Sequence, residues 1–222
     1  MDVGGTPFIA HQFRLLSQSG LTDIVLRTGH LGSQLKDVVG DGSRHGVHVR
    51  YSTDGSRPLG TGGALRHALP LLGDAFLILY GDSYLECDYA AVAQAFEACS
   101  APALLTLYRN DGRWDRSNAY FLDDQIVQYS KTHYTPDMHH LDYGLAAMRA
   151  DVLLAYPDDE ALDLATVYED LVDRHALAGF EVTTRFYEIG TPAGLSDMRQ
   201  HLDQGRTVSY ARQHLVETAR IV

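Results

Sequence analysis

Four short segments of this 222-residue chain carry residue types that can hold phosphates and a metal ion. The first, Pro58-Leu59-Gly60-Thr61-Gly62-Gly63-Ala64-Leu65, sets three glycines around a threonine and runs straight into a helix-forming stretch. Glycines let a backbone approach a ligand closely, and a helix N-terminus offers free N–H groups to an anion or to the polar edge of a base. The same letters also spell a plain glycine-rich turn. The second segment, Tyr80-Gly81-Asp82-Ser83, closes an apolar run, Phe76 to Tyr80. Open α/β sheets bind ligands beyond the carboxyl ends of their strands. Asp82 placed there can hold Mg²⁺ against phosphate oxygens, or can simply cap a turn. The third, Tyr187-Glu188-Ile189-Gly190-Thr191-Pro192, puts Glu188 at another strand end, so that Asp82 and Glu188 together make a two-carboxylate Mg²⁺ site. The fourth is Lys131, which with Lys36 is one of two lysines in the chain. It ends the alternating run Ile126–Lys131, where it can meet a sugar phosphate as a point charge or stand as an ordinary solvated lysine.

The elements that must position these residues alternate between strand and helix. Thr6-Pro7 reads as a helix start, with Thr6 as cap and Pro7 in the first turn. Apolar runs with β-branched residues predict strands at 23–29, 48–52, 76–82 and 103–108, with helices over 31–39, from 62 and over 89–99. Residues 118–131 are two alternating stretches around Asp123-Asp124, a hairpin by spacing. A strand at 143–149, helices over 150–156 and 163–177, a strand over 181–192 and a closing helix over 193–204 complete the pattern. It predicts an α/β fold, a Rossmann-like doubly wound mixed sheet with the hairpin as a lobe at one end. Residues 1–204 read as one domain and 205–222 as a tail.

Composition narrows the function further. Net charge is −11, from 18 basic and 29 acidic residues, which argues against nucleic-acid partners. Local Lys, backbone N–H groups or a metal must therefore neutralise a phosphate ester. The chain shows neither a signal peptide at its start nor an apolar stretch near the roughly 20 residues of a membrane span, so no membrane partner and a cytoplasmic location are expected. Cys87 and Cys99 suit a reducing compartment. His133, His139 and His140 fit a polar loop or ligand rim better than zinc, since their spacing matches no structural zinc motif.

Taken in order, these segments resemble the sugar nucleotidyltransferase family, and most of all its mannose-1-phosphate and heptose-1-phosphate guanylyltransferases. The likeness is carried by DVGGTPFIAHQ, LTDIVLRTGHLGSQL, YSTDGSRPLGTGGALRHA, FLILYGDSYL, YGLAAM and FYEIGTP, and covers most of residues 1–204. It implies a sugar-binding hairpin lobe and a reaction in which a sugar 1-phosphate attacks the α-phosphate of a nucleoside triphosphate, with GTP favoured. It further implies Mg²⁺ held by Asp82 and Glu188. Gly60, Thr61 and Gly62 would pack on the nucleotide, Lys131 would contact the sugar phosphate, Asp142, Tyr143 and Gly144 would line the sugar pocket, and Leu59 and Gly81 would also bind substrate.

Three departures qualify that implication. The family pattern has Glu-Lys where this chain has Ser130-Lys131, and Asp where it has Glu188. Its first strand and glycine-rich loop, with an Arg and then Lys-Pro, belong just before Asp2. Without them, strands 23–29 and 76–82 are expected to expose unpaired edges, and a truncated chain is expected to transfer nucleotides weakly. The alternative is a non-catalytic nucleotide-sugar binding or regulatory module. A metal-dependent glycosyltransferase predicts Asp-x-Asp, which Asp82-Ser83-Tyr84 does not supply. The exposed sheet edge or the tail offers an interface for a second copy.

Overall fold

The computed structural model describes residues 1–29, 32–53, 57–158, 160–204 and 220–221. Two-residue strands β1 (Asp2–Val3) and β2 (Thr6–Pro7) form a minute hairpin, Val3 opposite Thr6. Helix α1 (Phe8–Gln18) follows with Pro7 itself as N-cap and no side-chain cap. Thr6 is thus spent on pairing, and Pro7, which has no N–H to donate, sits just outside the helix rather than in its first turn.

The alternation then runs β3 (Asp23–Thr28), α2 (Gly32–Val39), β4 (His48–Thr53), α3 (Gly60–Ala68), β5 (Ala75–Leu79), β6 (Ser83–Leu85) and α4 (Tyr89–Ala98). The second half holds β7 (Ala103–Arg109), the hairpin β8 (Ala119–Leu122) and β9 (Gln125–Tyr129), and the long β10 (His140–Arg149). It ends with α5 (Ala150–Leu154), α6 (Leu164–Asp173), β11 (Leu177–Val182), β12 (Phe186–Glu188), α7 (Pro192–Asp203) and β13 (Arg220–Ile221). The predicted helix over 163–177 stops short, because His175 turns the chain at φ 53°. The residues after it form β11, parallel to β7 with Leu177 opposite Ala103. The predicted strand over 181–192 is likewise two strands, β11 and β12. Burial against β7 overrides the helix preference of His-Ala-Leu-Ala.

The main sheet has the order β4-β3-β13-β5-β10-β7-β11-β9-β8. β10 is antiparallel to both β5 and β7, so the sheet is mixed, as the sequence implies. Its central strands are apolar on both faces because helices cover both. Phe76, Ile78 and Met148 pack with Leu65, Leu153 and Tyr168 beneath α3, α5 and α6. Leu77, Leu145 and Ala147 pack with Phe13, Val92 and Phe96 beneath α1 and α4. The hairpin turns on Asp123 and Asp124 at φ 49° and 59°, the left-handed pair that a two-residue turn requires. Rather than standing apart, the hairpin extends the sheet, β9 pairing with β11 and β8 with β10.

The expected bare edges of β3 and β5 are met by the chain's own C-terminal residues. Strand β13 lies between them and parallel to both, with Ile221 opposite Ile24 and Leu77. It spans two residues, and a cavity of about 820 Å³ borders the same strands, with Leu26, Thr28 and Leu79 in its wall and Phe8, Gln12 and Phe13 of α1 above.

Leu145 of β10 is fully buried between β5 and β7. Leu145→Ala is expected to cost about 2–5 kcal/mol in urea unfolding; a loss below about 1 kcal/mol, the size of an ordinary substitution, would remove it from the packed centre.

Candidate functional site

The site begins at the carboxyl end of β5. The Gln12 side-chain amide, buried beneath α1, donates to the carbonyls of Tyr80 at 3.2 Å and Ser83 at 2.8 Å. It thereby clamps the Gly81-Asp82 turn. β6 pairs antiparallel with β12, placing Glu188 opposite Ser83, and the Ile189 N–H donates to the Asp82 carbonyl at 3.0 Å. The two carboxylates nominated by the sequence are therefore neighbours across a short ribbon. At Gly190 a Cβ would stand 3.2 Å from the Asp82 carboxylate, so the glycine leaves that group room.

Partial burial pushes the Glu188 carboxyl above its usual range, and the charges of Asp82, Asp115 and Asp142 push it further. Two hard oxygen donors repelling each other at a strand edge suit a divalent cation. Among the described residues no third His, Cys, Asp or Glu completes a cage around them.

A cavity of about 330 Å³ opens beside Glu188, and Lys131, Asp142, Gly144, Tyr80 and Asn118 share its wall. Four predicted residues from three distant segments thus meet in one place. Gly144 sits at φ 92°, with Ser83 Oγ 3.2 Å from where its Cβ would be, at a register shift between Asp142 and Ala146 in the β10–β7 pairing. Asp142 receives the Gly144 N–H at 2.9 Å and the Tyr129 hydroxyl at 3.1 Å. Burial nevertheless pushes its carboxyl up, against the pull of those donors and of Lys131. Tyr143 does not join them. It points to the opposite face of β10, 2% exposed and edge-on to Phe186, as the two-residue alternation of a strand demands.

The glycine-rich loop is built differently from its sequence reading. The Leu162 carbonyl receives the N–H groups of Gly62 at 2.8 Å and Gly63 at 3.1 Å, and the Leu162 N–H donates to Leu59 at 2.9 Å. These donors at the N-terminus of α3 are occupied by the chain itself. The glycines answer to the same contact: Gly60 is at φ 70°, and its Cβ would lie 2.5 Å from the Leu162 carbonyl oxygen. Leu59 and Gly62 are buried, whereas Gly60 and Thr61 stay exposed. The Thr61 hydroxyl donates to Asp163 at 3.1 Å. Asp163 also caps α6 through the Ala165 N–H at 2.9 Å and lies 3.7 Å from Lys131 Nζ. Its carboxyl is held below the usual range, first by the Ala165 N–H and then by Lys131 and Thr61. Gly81 faces the larger cavity.

Sequence reasoning missed several contributors. Asn118, whose side chain receives the Asp142 N–H at 2.9 Å, was read only as the first residue of the hairpin. Tyr80 was counted as strand, yet its ring lines the cavity. Ser130 is structural: its hydroxyl receives the N–H groups of Thr132 and His133. His140 is bound to Glu181 at 2.8 Å and His133 to Thr132 at 2.9 Å. No helix among the described residues is long and apolar enough to cross a membrane.

With this geometry in place, the likeness to known proteins is consistent across sequence and fold. The chain belongs to the nucleotidyl transferase family, whose sequence model matches residues 1–121. It is 41% identical over 95 residues to the N-acetylmuramate alpha-1-phosphate uridylyltransferase of Neisseria meningitidis serogroup B, covering 42% of this chain and 41% of that protein. It is 24% identical over 159 residues to the mannose-1-phosphate guanylyltransferase of Mycobacterium tuberculosis, covering 71% of this chain and 44% of the relative. The matched stretch thus spans less than half the length of either relative. In fold, the crystal structure of HddC from Yersinia pseudotuberculosis superposes with a TM-score of 0.75 at 20% identity, covering 91% of this chain and 88% of that one.

Two outcomes test the site's architecture. Gly60→Ala, strained at positive φ and blocked by the Leu162 carbonyl, should destabilise by more than about 1 kcal/mol; a neutral change in thermal unfolding would dismiss the clasp. The raised Asp142 carboxyl keeps its proton to higher pH folded than unfolded, so its stability contribution falls as pH rises from about 4. Asp142→Asn should therefore gain on the unsubstituted chain as pH rises above about 4. A pH-independent difference in urea midpoints would reject this.

Proposed function

We propose that this chain forms a sugar-1-phosphate nucleotidyltransferase unit that joins a sugar 1-phosphate to a nucleoside triphosphate and releases pyrophosphate. The observation that carries this is the single cavity shared by Lys131, Asp142, Gly144 and Glu188, with Asp82 beside it. A sugar 1-phosphate there turns a phosphate oxygen toward the α-phosphorus. The new P–O bond forms as the bond to the bridging oxygen of the β-phosphate breaks, and pyrophosphate leaves with that electron pair. The attacking oxygen is already anionic, so positioning and charge neutralisation dominate.

Lys131 holds the sugar phosphate by charge, and Asp142 and Asn118 offer acceptors and donors to sugar hydroxyls. Asp82 and Glu188 would hold Mg²⁺, which when bound supplies positive charge between the substrate phosphates. The larger cavity, beside Gly81, has room for the nucleotide. Arg27 is the one basic side chain among the described residues lining it. For the base, the likeness to guanylyltransferases favours GTP. The 41% identity to a uridylyltransferase favours UTP as a second reading.

Pyrophosphate release across GTP, UTP, CTP and dTTP with several sugar 1-phosphates tests the proposal. Tight nucleotide-sugar binding without release would instead support a non-catalytic module. Asp82→Ala should lower kcat by at least about 100-fold at saturating Mg²⁺, and substantial residual turnover would deny it a metal role. Lys131→Ala should raise the KM for sugar phosphate roughly tenfold or more, as loss of a charged hydrogen bond does, while sparing that for nucleotide; the reverse pattern would reassign it.

A further inference from the structure

The ribbon that carries Asp82 and Glu188 is three residue pairs long, too short to fix two repelling carboxylates by itself. Strand alternation sends Glu188 toward the cavity and its neighbour Tyr187 the other way. There the Tyr187 ring stacks on His201 of α7, with centroids 4.2 Å apart and planes at 22°. Tyr84, the register partner of Tyr187, meets the same imidazole edge-on at 6.0 Å. His201 Nε2 lies 3.0 Å from Glu86 Oε2, just past the end of β6, and the two side chains are 6% and 4% exposed. Neither lines a wall of the two cavities described above. Helix α7 is held again where Arg185 donates to Asp197 at 2.6 Å, and where Met198 packs fully buried against Tyr84, Val3 and Phe8.

A buried imidazole–carboxylate contact is not needed for cohesion, since apolar groups of the same volume serve stability as well or better. Its value lies in direction: a hydrogen bond fixes α7 against the ribbon at one spacing, where apolar packing would tolerate several. We propose that His201 and Glu86 are positioning residues for the Asp82–Glu188 pair. They brace the underside of β6 and β12 and so set the separation at which the two carboxylates receive a divalent cation. The inference rests on the metal role proposed above for Asp82 and Glu188.

The test uses Mn²⁺ as probe on the full chain, free ion being read by electron paramagnetic resonance with and without GTP or UTP. His201→Ala and Glu86→Ala should each raise the Mn²⁺ Kd about tenfold, the usual loss for partners behind metal ligands, while Glu86→Gln, which keeps an acceptor for the imidazole, should stay within about threefold. Metal-free nucleotide binding, measured by calorimetry, should not change. If His201→Ala does not fold, His201→Gln carries the same test, with circular dichroism confirming the fold. Unchanged Mn²⁺ affinity in a folded variant overturns this role alone. No Mn²⁺ binding by the unsubstituted chain overturns both this role and the metal reading beneath it.

Discussion

The pairing of Ser83–Leu85 with Phe186–Glu188 is the constraint on which the site depends. It joins chain segments about a hundred residues apart and decides which side chains face the cavity. A slip of one residue would send Glu188 to the buried side and Tyr187 to the ligand side, because strand side chains alternate. Everything around the ribbon opposes such a slip. Gln12 clamps one end by donating to Tyr80 and Ser83, and Gly194 lets α7 start directly against the Glu188 carbonyl.

Charge within this frame is uneven. Asp82, Asp115, Asp142 and Glu188 gather at one sheet edge, with Lys131 and Arg116 as the basic side chains in the same cavity wall. Lys131 is itself shared with Asp163. If the chain takes phosphorylated substrates as proposed, a net charge of −11 concentrates negative potential where those substrates would also be negative. Under the proposed function, an added cation beside Lys131 and Arg116 would relieve that conflict, since like charges repel most strongly at short range.

Much of the fold is legible in the sequence because the central strands are continuous apolar runs. Ala75–Leu79 and Ala103–Arg109 need no partner to be recognised. The position of Asp82 just beyond an apolar strand was legible for a related reason, whereas Glu188, the last residue of a three-residue strand, was marked only by the Gly190 and Pro192 that follow it. What failed was non-local. β6 and β13 are too short to carry a period, and β11 resembles a helix until β7 is placed beside it. Tyr143 looked like a pocket residue next to Asp142, yet one step along a strand reverses direction. Glu86, Gln12 and His201 carry no local signal, since their partners lie on other elements.

The clasp of Leu162 on the glycine-rich loop changes what that loop's composition means. Its glycines at 60, 62 and 63 face the carbonyls of Glu160 and Leu162 and the Leu162 side chain, which cross them at contact distance. Their count is thus a record of internal packing between two remote parts of one chain. Among relatives, the loop's glycines and the stretch before α6 should change together, as a lock changes with its key. A variant that moved that stretch outward would free the loop to take larger residues and expose the N–H groups of α3.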